Sequence, residues 1–497
     1  MKSKESITRS VMLSTGLRTL SRIVGMIRTI LVASFFGATV STDAFQVALG
    51  IIFFYFLFIE SALELVTIPT LATLTDDPPR LKQAAWAFLV KLSIFCVFLL
   101  AALFISQNLI LDFLVPANNP DLRSSTAKFI PMMALGAVIY IIYRYVCLVE
   151  RAQKRFAPEI ISDLFLSIAL TVYIAFRHSD PIVLGESYLA ANLAALIFML
   201  WRSQTISWDF FKLKDRSLKT PGSFVLFIST GLISSAYLAL EKKLGASAPL
   251  GTLTIYSFAT VIFRFLSAYG SAVVQIFHPS FHDNDGKHRF MQLTKLMWLY
   301  SIPIAFAVIL SSDLIVSILF SSKKMSSDQL QSMSTSIQIL AIYLFTELTG
   351  NTLIRYTIAH GGIRIYNIVF STVALISFSI AYAFRDTFGV QVLAMYNLLT
   401  NASLMICMTV ILHKNYKILS LKDYSFLMKI LSVALLAIAP SLIIDALYPI
   451  HAIVKTALFL AIFTTCYFRF VHDEINHLLL AKIDKLKNSL IQKYFRP

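Results

Sequence analysis

The chain has 497 residues, of which 57% are hydrophobic and only 14% charged, with a mean hydropathy of +0.74. Soluble domains carry roughly 25% charged residues, so the composition excludes a soluble globular fold and indicates an all-α polytopic membrane protein. The net charge of +16 lies mostly in short loops between apolar spans, which fits membrane topology and anionic lipid headgroups. No folded domain is left over to bind nucleic acid.

Apolar stretches of spanning length fall near 7–36, 42–74, 82–107, 125–149, 156–177, 181–201, 221–244, 250–281, 291–320, 329–358, 363–384, 389–413, 424–447 and 451–471. The expectation is therefore about fourteen transmembrane helices. Several exceed the ~20 residues a bilayer needs, so tilt or projection is expected. The first is interrupted by arginines and lacks a small-residue cleavage site, so a cleaved signal peptide is not expected. Cys96, Cys147, Cys407 and Cys466 all fall in apolar stretches without a CxxC pair, and read as small buried hydrophobes.

Alternate loops differ sharply in basic residues. One set carries Lys2, Lys4, Arg80, Lys82, Arg151, Lys154, Arg155, Arg202, Lys212, Lys214, Arg216, Lys219, Lys287, Arg289, Lys414, Lys417 and Lys422. The other holds little beyond Arg123, Arg177, Lys323, Lys324 and Arg385. This bias places both termini in the cytoplasm. In the tail 474–497, Ile483, Leu486 and Leu490 alternate with lysines at helical spacing, as in a basic amphipathic helix on the inner leaflet.

The sequence also repeats. Gly37-Ala38 is matched by Gly245-Ala246, Ile68-Pro69-Thr70 by His278-Pro279-Ser280, and Arg144-Tyr145 by Arg355-Tyr356, at offsets of 208, 210 and 211. Matches in order at nearly constant offset imply two six-helix halves, 1–203 and 219–413, followed by two helices within 424–471. Six is even, so the halves are parallel repeats around a central cavity.

Charges inside the spans are the sharpest signal. Arg18, Arg22 and Arg28 lie in the first one, where a charge facing lipid costs several kcal/mol. Arg22 and Arg28 are too deep to snorkel and should face a cavity that receives an anion. Arg18 is placed either there or at the cytoplasmic interface. Asp43 opens the second span and suits a helix N-cap. Glu60 and Glu64 further along it suit salt bridges to these arginines, with proton or cation carriage as the alternative. In the second half, Glu241, Lys242, Arg264, Glu347, Arg355, Asn397 and Asn401 are the polar residues within spans. Arg144 and Arg355 suit either the cavity or interfacial anchoring.

Enzyme signals are absent. There is no HExxH and no GxxxxGK[ST], and the run Asp283-Asn284-Asp285-Gly286 lacks the closing Glu of a calcium loop, with Thr294 there instead. No cofactor is expected. Energy must then come from an ion gradient, the membrane potential or the substrate gradient.

The runs Ser21-Arg22-Ile23-Val24-Gly25-Met26-Ile27-Arg28, Ala33-Ser34-Phe35-Phe36-Gly37-Ala38 and Thr42-Asp43-Ala44-Phe45-Gln46-Val47-Ala48 resemble the start of the MurJ (MviN) lipid II flippase family, within the multidrug/oligosaccharidyl-lipid/polysaccharide exporter superfamily. Glu60-Ser61-Ala62 with Ile68-Pro69, Arg155-Phe156-Ala157-Pro158, and Arg355-Tyr356 with Ala359 and Arg364 are similar to later family segments. The resemblance implies a monomer in the bacterial inner membrane that moves an undecaprenyl-pyrophosphate-linked peptidoglycan precursor between leaflets. It implies that Arg22 and Arg28 are cavity arginines, with Arg18 close by and Asp43 the family's acidic residue.

Departures from the family pattern are Thr29 in place of an acid, Tyr55-Phe56 in place of an arginine, Arg264 one turn beyond its expected position, and Gly361-Gly362-Ile363-Arg364-Ile365 after the tenth span. They keep an O-antigen, capsule or exopolysaccharide repeat unit open as cargo. A drug/cation antiporter, which favours an acidic cavity, and a non-transporting scaffold are further alternatives.

Overall fold

A computed structural model of the chain describes residues 7–72, 74, 77–153, 155, 157–203, 224–277, 281, 285–321, 324–416, 421–447 and 452–475. Among them every regular element is helical: α1 (Ile7–Phe36), α2 (Val40–Ala72), α3 (Pro78–Leu114), α4 (Pro120–Ala152), α5 (Ala157–Phe176), α6 (Val183–Arg202), α7 (Phe224–Ala246), α8 (Thr252–Phe277), α9 (Gly286–Phe320), α10 (Ser327–Ala359), α11 (Ile363–Ala383), the short α12 (Arg385–Phe388), α13 (Val392–Tyr416), α14 (Leu421–Leu447) and α15 (Ala452–Ile475). Eleven are long and apolar enough to cross a membrane, and α14 and α15 contribute the shorter apolar stretches Ser425–Ile438 and Ala452–Cys466. The tail expected to form an amphipathic helix lies almost wholly outside the described residues.

Local signals set the boundaries. Pro78 and Pro120 occupy first turns, and the preceding Asp77 and Asn119 accept the backbone N–H of Arg80 and of Leu122, each at 3.3 Å. Gly37 ends α1 in the left-handed region, at φ 63°, where its N–H reaches Ala33 O at 3.0 Å. Thr39 and Thr42 then start α2, the Thr42 hydroxyl accepting the Thr39 N–H at 2.8 Å. A Cβ at Gly37 would lie 2.5 Å from Lys324 O. Gly37→Ala combines that overlap with a strained φ and should cost about 1–3 kcal/mol. Thermal unfolding in detergent reads the loss, and an unchanged midpoint contradicts it.

The chain forms two compact units. The first comprises Met1–Phe265, Phe320–Met333 and Ala374–Tyr396. Its buried spine is α4, with Phe129, Ile130, Met133, Ala134, Ala137 and Ile141 inside. Ala44, Val47, Ala48, Ile51 and Ile52 of α2 recur at helical spacing and are also buried. α3 instead exposes Ile94, Val97, Phe98, Ile105 and Leu109, a face suited to lipid tails. α2 and α7 approach closely at two glycines. A Cβ at Gly231 would lie 3.1 Å from the Phe58 backbone, and one at Gly50 would lie 2.3 Å from Lys242 Cγ.

The second unit comprises Leu266–Leu319, Ser334–Val373 and Asn397–Pro497. Its apolar core joins Trp298 and Ile302 of α9 to Phe426, Ile430 and Val433 of α14 and Phe459 and Phe463 of α15.

Candidate functional site

The deep arginines of α1 meet Arg264 within the first unit. Arg22 Nη1 donates to Arg264 O at 2.8 Å, and both side chains are exposed. The half-buried Arg28 lies within electrostatic range of Arg264, so the two guanidiniums repel. α1 is fixed by small polar residues against α5: Ser21 Oγ lies 2.7 Å from Ser167 Oγ, and the Thr171 hydroxyl reaches Val24 O at 3.5 Å. Ser21 thus anchors one face of α1 while the adjacent Arg22 projects from another. Clustered guanidiniums suit a phosphate or pyrophosphate, whose oxygens they grip bidentately and whose charge relieves their mutual repulsion. The side chain of Arg18 lies outside the described residues.

Asp43 is an N-cap, but of α8 rather than of its own helix. Its Oδ2 accepts the Gly251 N–H at 2.6 Å, and its Oδ1 accepts the Thr254 N–H at 2.9 Å and the Thr254 hydroxyl at 2.6 Å. Gly251, at φ 87°, has no side chain with which to cap α8, so Asp43 supplies the carboxylate from another helix. Nearby, Gln329 Nε2 donates to Ala38 O at 3.2 Å. These contacts tie the α1–α2, α7–α8 and α9–α10 connections together on one side of the unit.

Lys242 and Glu241 are buried beside this seal. Lys242 Nζ donates to Glu241 Oε1 at 3.0 Å, and the Tyr256 hydroxyl donates to Glu241 Oε2 at 3.4 Å. Lys242 also lies within electrostatic range of Asp43. Asp43→Ala should therefore cost about 1–2 kcal/mol, the usual loss of an N-cap, and Asp43→Asn clearly less. The order of thermal midpoints, wild type above Asn above Ala, checks this, and equal midpoints contradict it.

Glu60 does not pair with the arginines of α1 as its position suggested. Its Oε1 accepts Arg144 Nε at 2.8 Å, and its Oε2 accepts the Tyr140 hydroxyl at 3.1 Å. Arg144 Nη1 also lies 3.5 Å from Glu159 Oε1 and 3.5 Å from Asp163 Oδ1 of α5. Arg151 grips Glu159 with two nitrogens, its Nε 2.9 Å from Oε2. The Tyr143 hydroxyl donates to Asp163 Oδ1 at 2.6 Å. Arg144 is thus the hub of a network joining α2, α4 and α5. The residues missed in the sequence were Glu159, Asp163, Tyr140 and Tyr143. Their signal was helical spacing: 159 and 163 share a face of α5, and 140 and 144 a face of α4. The side chain of Glu64 lies outside the described residues.

Arg355, Asn397 and Asn401 belong to the second unit, where Asn401 Nδ2 donates to Asn397 O at 3.1 Å. Arg355 is half-buried and Asn397 buried. The four cysteines are free thiols. Among the described residues, no group of three or more His, Cys, Asp or Glu is arranged to hold a metal.

Comparisons with known proteins give one consistent answer. A solved lipid II flippase MurJ in an inward closed conformation superimposes with a TM-score of 0.76 at 13% identity, covering 93% of this chain and 100% of that one. An inward-facing multidrug resistance MATE family transporter of the MOP superfamily gives 0.65 at 10% identity, over 82% of this chain and 95% of the other. A MOP superfamily transporter from Pyrococcus furiosus, described as having a binding pocket of reversed polarity, gives 0.51 at 12% identity, over 81% and 93%. At these identities the likeness establishes the fold alone. No curated protein sequence matches significantly. The family model for lipid II flippase MurJ matches residues 32–468, beginning just after Arg28. That match spans most of the chain, and the family is one of inner-membrane transporters, not enzymes: the chain belongs to the MurJ lipid II flippase family.

Proposed function

We propose that the protein is a flippase that carries an undecaprenyl-pyrophosphate-linked saccharide from the inner to the outer leaflet of the bacterial cytoplasmic membrane by alternating access, with lipid II as first cargo. The observation that carries this reading is the approach of two α1 arginines to Arg264 of α8, Arg22 through the Arg264 carbonyl and Arg28 within electrostatic range of its guanidinium. In this reading they hold the pyrophosphate, with Arg18 beside them. Asp43 closes the outer side by capping α8, and Glu241 with Lys242 neutralises that seal. The two repeats 1–203 and 219–413 alternate between inward and outward states during the cycle. Both termini are cytoplasmic, and the protein works as a monomer without a cofactor. The membrane potential or an ion gradient supplies the drive, since each charge moved through 100 mV is worth ~2.3 kcal/mol.

Lipid-linked repeat units of O-antigen, capsule or exopolysaccharide are the second reading. It is favoured by Tyr55 and Phe56, which stand where the family pattern has an arginine. Tyr55 turns its hydroxyl to Ser106 Oγ at 2.6 Å instead of offering a charge. The arginine cluster disfavours a drug/cation antiporter.

The test is reconstitution into liposomes with lipid II and, separately, with an undecaprenyl-pyrophosphate oligosaccharide. Faster leaflet exchange of lipid II supports the first cargo, and faster exchange of the oligosaccharide the second. Exchange of neither above empty liposomes sinks the flippase reading.

A further inference from the structure

α1 carries two of the three arginines of the anion site, yet apolar burial does not hold α1 in place. Among the described residues of Thr19–Phe36, Ala33 and Phe36 alone are buried, both beyond Arg28 toward the outer end. In lipid an apolar face fixes no helix register, because acyl chains are as apolar as leucine. Interhelical hydrogen bonds and close packing must fix it.

The contacts that can do so lie along α5. Ser21 Oγ is 2.7 Å from Ser167 Oγ, Val24 O is 3.5 Å from the Thr171 hydroxyl, and the Phe35 ring stacks on His178 with centroids 4.2 Å apart. The paired positions rise together along both helices, so α1 and α5 run side by side in one direction. Arg28 falls between the second contact and the third. Thr29 turns its hydroxyl back to Gly25 O at 3.1 Å and adds no rung there.

Counting protons shows which rung is strong. A hydroxyl has one proton to give. Ser167 gives its proton to Asp163 O at 3.0 Å, so Ser21 is the donor of the 2.7 Å bond. Thr171 gives its proton to Ser167 O at 2.8 Å and reaches Val24 O only at 3.5 Å. Ser21 directly precedes Arg22, and Arg28 follows about two turns on. A slip of α1 by one residue would carry each guanidinium about 1.5 Å along the helix and about 100° round it. Arg22 would then lose its 2.8 Å bond to Arg264 O.

We propose that Ser167 is a positioning residue for the anion site: through Ser21 it fixes the register of α1 on α5, and so the height at which Arg22 and Arg28 meet Arg264. This rests on the flippase reading. It gives α5, which carries none of the three arginines, control over pyrophosphate affinity. Thr171 and the His178–Phe35 stack hold α1 on either side of Arg28 as weaker contacts.

The experiment compares the affinity of the full chain in detergent for undecaprenyl pyrophosphate and for undecaprenol. Ser167→Ala should bind the pyrophosphate about three- to tenfold more weakly and the alcohol as before. Ser167→Thr, which keeps the hydroxyl, should recover most of the affinity. Ser21→Cys with Ser167→Cys replaces the hydrogen bond by a disulfide, which the close approach of the two side chains allows. Reduced, this pair should bind as weakly as Ser167→Ala, and oxidised, as tightly as wild type. A Ser167→Ala variant with full affinity, or an oxidised pair as weak as the reduced one, overturns the proposal. A readout without cargo is the rate of cross-linking in empty liposomes. The 21/167 pair should form its disulfide much faster than Leu20→Cys with Ser167→Cys, since Leu20 lies on an exposed face. Equal rates overturn the proposal whether or not any lipid binds. Fast cross-linking in a protein that does not prefer the pyrophosphate to the alcohol overturns the flippase reading instead.

Discussion

Arg28→Ala and Arg264→Ala should each weaken binding of a pyrophosphate-linked lipid by roughly ten- to a hundredfold, and Arg28→Ala should leave the protein as stable as before. Hydrogen bonds to charged groups are worth about 1.5–3 kcal/mol each, which sets that range. Stability is spared at Arg28 because its charge lies within range of that of Arg264, so removing it relieves repulsion. Arg28→Lys keeps the charge but loses the planar fork, and should fall between wild type and Ala. Affinity by tryptophan quenching and thermal midpoints in the same detergent check both halves of the statement. A variant that binds normally, or one that loses binding only because it unfolds, contradicts it.

Arg144→Met should do the opposite: unfold the protein readily rather than spare it. The change leaves Glu60, Glu159 and Asp163 without the guanidinium they share, and breaking such a buried network costs about 3–5 kcal/mol. A second change, Glu60→Gln, should restore part of the loss, because the two residues touch and their effects are not additive. Thermal midpoints of the two single variants and the double variant form the cycle. Strict additivity would mean the 2.8 Å contact carries no coupling.

Much of the architecture was legible because the bilayer imposes strong rules. Apolar runs gave the helices, with boundaries near those observed, and the intramembrane cost of Arg22 and Arg28 singled them out. Arg264 was visible for the same reason. What the sequence hid were partners. Glu60 and Arg144 are 84 residues apart and Asp43 and Gly251 are 208 apart, and nothing local states that they meet. Glu60 was therefore assigned to the wrong arginines, and Asp43 to the wrong helix. One clue was present but unread. The Asp43 bonds span 208 and 211 residues, matching the repeat offsets of 208 to 211.

Gly251 and Asp43 are complementary at that place. α2 contributes a carboxylate and α8 a bare helix start, and each satisfies the other. A symmetric pair of aspartates would repel, and a symmetric pair of glycines would leave the α8 N-terminus without a cap.

The central claim is that guanidiniums of α1 and α8 hold the pyrophosphate of a lipid-linked glycan. Its most direct measurement is the affinity of the purified protein for undecaprenyl pyrophosphate against undecaprenol, at low and high salt. The account predicts that the pyrophosphate binds at least about tenfold tighter and that salt narrows the gap. Equal affinity for the two lipids, unaffected by salt, would contradict it.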